Sequence, residues 1–327
     1  MTKRTSLFNV FHVMLLVWLS LVRPNFIMAQ QGDTLSTSYF VQGCARYREQ
    51  VISEIIETFV HFNMLCDSLK QVSKYPEKHE EFRKALIQSI LNQEILPLES
   101  LISKTLPPEL LGDHKSYKLY RQWAQTYRVQ IYQFSFLAIE GVLMPKSPYP
   151  LGDIRDFYKE IKAYDLRAGQ TFVDVGAGTG IITYILSLSG FPLQLYLTEL
   201  DGMFLDFHFR EAELISNDST GQKVNVVIAL PHGLGLEAQV KADRILMREV
   251  YHHLNAPKEV LASVREHLAP GGMLILVETT SDTKLPDHVA CNRAMSYEQI
   301  IREVTKAGFR LVSQDKIRDS FVIRFTL

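Results

Sequence analysis

Hydrophobic and polar positions change rhythm twice along the chain. Leu7 to Val22 is an apolar run behind Lys3 and Arg4. From Ser38 to Ala163 apolar residues recur every three or four positions, the period of a buried helix face. Cys44, Tyr47, Val51, Ile55 and Phe59 predict one helix; Phe82, Leu86, Ile90 and Leu91 predict a second, which Pro97 breaks or kinks. A third runs from Tyr117 through Trp123 and Tyr127 to about Leu143. Residues 145–150, with prolines at 145, 148 and 150, read as a linker, and a short helix over Ile154–Ala163 follows.

Beyond Ala163 short apolar runs alternate with helical patterns. Thr171–Val175, Leu193–Glu199, Val224–Ala229, Arg244–Met247 and Met273–Glu278 read as buried strands, and that alternation implies a parallel sheet covered on both faces. Asn255 is placed to cap the helix that runs to Leu268, and Ser296 with Gln299 makes a capping-box pattern for the next. Arg310–Gln314 and Ser320–Thr326 are joined by only five residues, which suits an antiparallel pair. The expected fold is α/β: a doubly wound, mostly parallel, seven-stranded sheet behind an all-helical N-terminal domain. The boundaries read 1–29 for a leader, 38–144 for the helical domain and 154–327 for the sheet domain.

Composition adds little to this pattern, and charge somewhat more. At 46% hydrophobic and 22% charged, the 327 residues are those of a globular chain, which excludes wholesale disorder. Lys3, Arg4 and Arg23 stand in a leader without acids, so the body carries 32 basic against 36 acidic side chains and gives no reason to expect a nucleic acid as partner. The leader itself reads as an export signal with a cleavage site at Ile27-Met28-Ala29, or as a retained anchor. Its sixteen apolar-run residues reach about 24 Å as a helix, short of the roughly 30 Å hydrocarbon core. Either reading puts the body across the membrane, periplasmic if the source is bacterial. A start at Met28 would instead leave it cytoplasmic. Cys44, Cys66 and Cys291 form no close pair, and on one unbroken helix Cys44 and Cys66 stand about 33 Å apart, too far for a disulfide.

The chemistry concentrates at Val173-Asp174-Val175-Gly176-Ala177-Gly178-Thr179-Gly180, a turn between a strand and a helix where α/β sheets take nucleoside-like ligands. The dinucleotide fingerprint wants glycine where Ile181 stands, so a nicotinamide oxidoreductase is the weaker alternative. Glu199 ends the next strand, where a carboxylate can accept ribose hydroxyls or simply cap the turn. These motifs, with Ile245–Leu254 and Leu268-Ala269-Pro270-Gly271-Gly272, resemble class I S-adenosylmethionine-dependent methyltransferases over about 154–327, in particular the small-molecule branch with its quinone-type C-methyltransferases. The chain is also similar to bacterial methyltransferases with export-type leaders.

The resemblance implies S-adenosylmethionine as cofactor. Gly176, Ala177, Gly178 and Gly180 would carry its methionine part, Asp174 its amino group, Glu199 its ribose and Leu200 its adenine. An acid common near the adenine in such enzymes is missing at Ala229-Leu230-Pro231-His232-Gly233, so backbone groups or His232 would substitute. Arg248, Glu249, Tyr251, His252 and His253 lie where the acceptor would meet the methyl group, with Tyr251 and His252 the catalytic candidates. The adjacent histidines diverge and no metal-ligand set is evident in the sequence, so they read as structural side chains of that loop or, for His252, as a base or substrate contact. His288 and Arg293, in the polar stretch 282–295, read either as groups that close over a substrate or as parts of a solvated loop. Ten of the fourteen tyrosines precede Asp165, as core packing or as a substrate wall. The expected acceptor is small, apolar or aromatic, a lipid or quinone if residues 7–22 associate with a membrane. A non-catalytic binding protein of the same fold is the other alternative.

Overall fold

A computed structural model describes residues 33–91, 106–142, 154–217, 221–283 and 293–327. All of them belong to one compact unit, Gly32–Leu327. The expectations for the leader, Pro97, the 145–150 linker, His288 and Cys291 fall outside the described residues.

Helix α1 spans Thr37–Val72, unbroken over 36 residues. Its Phe40, Cys44, Tyr47, Val51 and Ile55 are buried along one side, as their spacing requires. Toward its C-terminus Phe62, Cys66 and Leu69 join a separate apolar cluster. That cluster gathers Phe82 and Leu86 of α2 (Pro76–Leu91), Leu110 of the short α3 (Pro108–Leu111), and Tyr120 and Trp123 of α4 (His114–Thr126). Helix α5 covers Arg128–Ile139. The expected third helix is therefore two: Tyr127 leaves helical geometry at φ −104°, ψ 13° and caps α4 through its N–H to Trp123 O. The apolar spacing runs on across this break, which is why the pattern alone reads as continuous.

Helix α6 (Ile154–Lys162) leads into β1 (Thr171–Val175), α7 (Ile181–Ser189), β2 (Gln194–Glu199), α8 (Gly202–Asn217) and β3 (Val224–Ile228). Strand β4 (Ala242–Arg248), α9 (Pro257–His267), β5 (Leu268–Thr279), α10 (Tyr297–Lys306), β6 (Arg310–Ile317) and β7 (Ser320–Thr326) complete the chain. The strands form one seven-stranded sheet in the order β3-β2-β1-β4-β5-β7-β6. Strands β1 to β5 run parallel, while β7 is antiparallel to both β5 and β6, as the short β6–β7 connection demands.

Two local expectations change. Asn255 does not cap α9; Ala256 holds the N-cap position without a side-chain bond, and Asn255 Oδ1 accepts from Arg293 instead. Strand β5 begins at Leu268, five residues earlier than its apolar run, because Leu268 pairs with Ala242 before a register shift. Ser296 does cap α10, its Oγ accepting from Gln299 N at 3.2 Å.

The helical region sits directly on the sheet domain. All nine residues of α7 are buried, because the sheet covers one side and α1 the other. Contact between α1 and α7 depends on Gly43, where a Cβ would lie 2.2 Å from Ile185 O. No helix of the described residues is long and apolar enough to cross a membrane.

Candidate cofactor and transfer site

Both parallel halves of the sheet meet at β1, and the ends of β1 and β4 meet at one cavity, with the end of β2 bonded to the glycine turn beside it. The turn after β1 uses positive φ at Gly176 (+63°), Gly178 (+56°) and Gly180 (+69°), a region that side chains rarely adopt. Backbone N–H groups of Gly176 and Ala177 donate to Thr198 O at 2.8 and 3.2 Å. Glu199 locks the turn to the end of β2. Its Oε2 accepts from Gly178 N at 2.8 Å, and its Oε1 from Leu200 N at 2.7 Å and Asp201 N at 2.9 Å. Three of the roughly four lone-pair sites of that carboxylate are thus taken by the protein, leaving one for a ligand hydroxyl.

The underside of the turn is packed and its upper side is open. A Cβ on Gly180 would meet the Tyr184 ring at 2.5 Å and His208 at 3.0 Å, whereas one on Gly178 would meet nothing within 4 Å. His208 is fully buried, and burial pushes its imidazole down to about 4, so it sits neutral below the turn with Nδ1 2.8 Å from the Tyr184 hydroxyl.

A cavity of about 160 Å³ opens beside the turn, between Asp174, Gly178, Ile181 and Ile182 on one side and Arg248 and Glu249 on the other. Asp174 is buried at the floor and accepts from Thr183 Oγ1 at 2.8 Å; burial, with Glu199 adding to it, pushes its carboxyl up to about 6. Arg248 is clamped by carboxylates, its Nε 2.8 Å from Glu160 Oε1 and its Nη2 2.5 Å from Glu140 Oε1. Glu140 follows α5 and also binds Arg318, so this network ties the helical region to the cavity wall. Burial alone would raise Glu160, but the Arg248 guanidinium holds it below the usual carboxylate range.

Glu249 follows with φ +56°, a backbone position strained for a non-glycine residue. Its Oε1 accepts from Thr279 N at 2.9 Å and Thr279 Oγ1 at 2.7 Å, and burial together with the Glu278 carboxylate raises its own carboxyl. His252 lies behind it, Nδ1 bonded to Glu278; against burial, which lowers it, that carboxylate lifts the imidazole above its ordinary value. Tyr251 points elsewhere. It is buried in the core under the sheet, and its hydroxyl donates to Glu303 Oε2 at 3.3 Å on α10.

Of the residues singled out from the sequence, the fold brings Asp174, Gly176, Ala177, Gly178, Arg248 and Glu249 to the cavity. It sets Gly180 under the turn and Glu199 across it, keeps His252 in the layer behind Glu249, and does not bring Tyr251 to the cavity. Leu200, at 53% exposure, stands with Ile228 and Leu230 as exposed apolar side chains at the ends of β2 and β3. Such side chains would suit the flat face of a base. The sequence motifs do not single out Glu140, Glu160 or Glu278 for this site; Glu278 reaches it only because β4 and β5 are neighbours. The tyrosines of the helical region that are fully buried, Tyr47, Tyr120 and Tyr164, are packing groups with bonded hydroxyls and form no wall here.

Residues 149–314 match the model of a methyltransferase-domain family, just over half of the chain, and the chain belongs to that family. No curated protein matches it. Solved structures with a similar fold include an S-adenosylmethionine-dependent methyltransferase from Aquifex aeolicus, 18% identical over 51% of this chain and 87% of that one, TM-score 0.46. The glycopeptide N-methyltransferase MtfA in complex with S-adenosylmethionine is 16% identical over 53% and 86%, TM-score 0.42.

Proposed function

We propose that the protein transfers a methyl group from S-adenosylmethionine to a small acceptor in the cavity beside the glycine turn. The observation that carries this reading is the turn itself: open above Gly178, closed below Gly180, and stitched by Glu199 to the end of β2. A nucleoside cofactor fits these residues. Asp174 supplies a carboxylate for an amino group, Glu199 retains one acceptor site for a ribose hydroxyl, and Leu200, Ile228 and Leu230 offer apolar contact to an adenine. When bound, the cofactor supplies an activated methyl on a sulfonium. The protein's own part is alignment and exclusion of water.

Ile181 and Ile182 give the cavity an apolar patch beside the Asp174 carboxylate, while Arg248 and Glu249 make its other side polar. That pairing suits an acceptor with an apolar or aromatic body and a polar reacting atom. The apolar run of residues 7–22 supports a membrane-bounded location, with a lipid or quinone as acceptor if that run is retained as an anchor. Incubation with methyl-labelled S-adenosylmethionine and a small-molecule extract tests the reading: label should enter an extractable low-mass product in a reaction that Asp174→Asn slows at least tenfold. Label that stays wholly in the donor would overturn it.

A further inference from the structure

Two strand ends place three potential metal ligands together. Glu249 and His252 follow β4, Glu278 lies near the end of β5, and one ligating atom from each lies within 4.8 Å of the others. We propose that Glu249, His252 and Glu278 bind a divalent cation of the Zn²⁺ or Mn²⁺ type, with a further coordination position open to the transfer cavity. There it would take the oxygen of an acceptor hydroxyl, a role that rests on the methyl-transfer reading above.

The hydrogen bonds around the three side chains orient them as ligands. Glu278 has Oε1 pinned by the N–H groups of Val250 and Tyr251 at 3.1 and 2.7 Å, while its Oε2 accepts from His252 Nδ1, so a bound cation would take the place of the proton these two ligand atoms share. Glu249 has Oε1 pinned by Thr279, and its Oε2 has no hydrogen bond among the described residues. Outer contacts of this kind fix ligand geometry in metal sites. Charge argues the same way. The Glu278 and His252 side chains are 1% and 4% exposed, and the neighbouring guanidinium of Arg248 is committed to Glu140 and Glu160. Two carboxylates facing one imidazole in so dry a place are short of positive charge, which a divalent cation supplies.

The donor set narrows the metal. One imidazole and two carboxylates suit Zn²⁺, a borderline cation, or Mn²⁺, a harder one that still accepts an imidazole, better than Ca²⁺, which prefers oxygen throughout. Three protein ligands with an open position are the pattern of a catalytic site. Glu249 borders the cavity while His252 and Glu278 lie behind it, so a cation held by all three would meet an acceptor on the Glu249 side. A cation there would lower the pKa of an acceptor hydroxyl, so that its proton passes to water as the oxygen takes the methyl group and the sulfonium leaves as a thioether.

The test uses tag-free full-length protein, stripped with chelator and titrated calorimetrically with Zn²⁺ or Mn²⁺ alone, without methyl donor. One equivalent should bind, and Glu249→Gln and His252→Gln should each weaken binding at least tenfold. Pulsed electron paramagnetic resonance of the wild-type Mn²⁺ complex should show coupling to one imidazole nitrogen, a readout that needs no variant. No binding by stripped wild type, undiminished binding by both variants, or a Mn²⁺ complex without nitrogen coupling would overturn the proposal. Because the donor is absent, failure of S-adenosylmethionine to bind would count against the methyl-transfer reading and leave this result standing.

Discussion

Gly178 and Gly180 have nearly the same backbone geometry, and a methyl group added to each would meet opposite surroundings. At both positions the left-handed φ costs about 1–2 kcal/mol for alanine. At Gly180 the new Cβ would also press on the Tyr184 ring, adding about 1–3 kcal/mol of overpacking. Gly180→Ala should therefore lower the melting temperature more than Gly178→Ala. Gly178→Ala should instead cost chiefly cofactor affinity, since its Cβ projects into the open side. Thermal unfolding beside calorimetric titration separates the two; equal melting temperatures would contradict the packing described. Asp174 gives a second residue-scale test. Burial pushes its carboxyl up to about 6, and it must be ionised to pair with an ammonium group. Cofactor affinity should then fall as pH drops through about 6, approaching tenfold per unit below it, and Asp174→Asn should remove that dependence. A flat wild-type profile from pH 5 to 8 would deny Asp174 the role. Much at this scale was legible in sequence, because the glycines and Glu199 occupy positions set by strand ends. The direction of Tyr251 was not, since a side chain just past a strand is aimed by its short 3₁₀ turn and by partners such as Glu278 and Glu303.

Helix α7 shows what an element's own pattern says about its neighbours. Ile181 to Ser189 is apolar or small all round, which a helix exposed on one side of a sheet would not be. That pattern already signals a second cover, and α1 is the cover. Their contact turns on Gly43. Replacing a helical glycine with alanine normally gains about 1 kcal/mol. Here the Cβ would fall 2.2 Å from Ile185 O, against backbone that cannot rotate away. Gly43→Ala should be destabilising by denaturant unfolding, and a gain in stability would show that α1 does not approach so closely. The face of α1, and that of α2 at Phe82 and Leu86, were readable from spacing; the break between α4 and α5 was not. Apolar residues continue in step through Trp123, Tyr127 and Ile131, and the chain turns there without a proline or glycine to mark it.

Across the molecule, the helical region and the sheet domain share more than apolar contact. Glu140 after α5, Glu160 on α6 and Arg318 in the β6–β7 turn all meet at or beside Arg248 in the cavity wall. Removing that cation would leave two buried carboxylates short of a partner. Arg248→Met should cost about 3–5 kcal/mol of unfolding free energy. A change below about 1 kcal/mol would show that the network is solvated. Nothing in the local pattern announces this junction, because its members are 20 to 178 positions apart and only the packing of α6 and the β6–β7 turn collects them. The doubly wound order, by contrast, follows from alternating strands and helices, and the closing antiparallel pair from a connection too short for any crossover. The account rests most heavily on a nucleoside cofactor held between the glycine turn and Glu199. Calorimetric titration with S-adenosylmethionine and S-adenosylhomocysteine, in wild type and Glu199→Gln, tests it most directly. Wild type should bind both, and the variant should bind both at least tenfold more weakly; a wild type that binds neither would contradict the account.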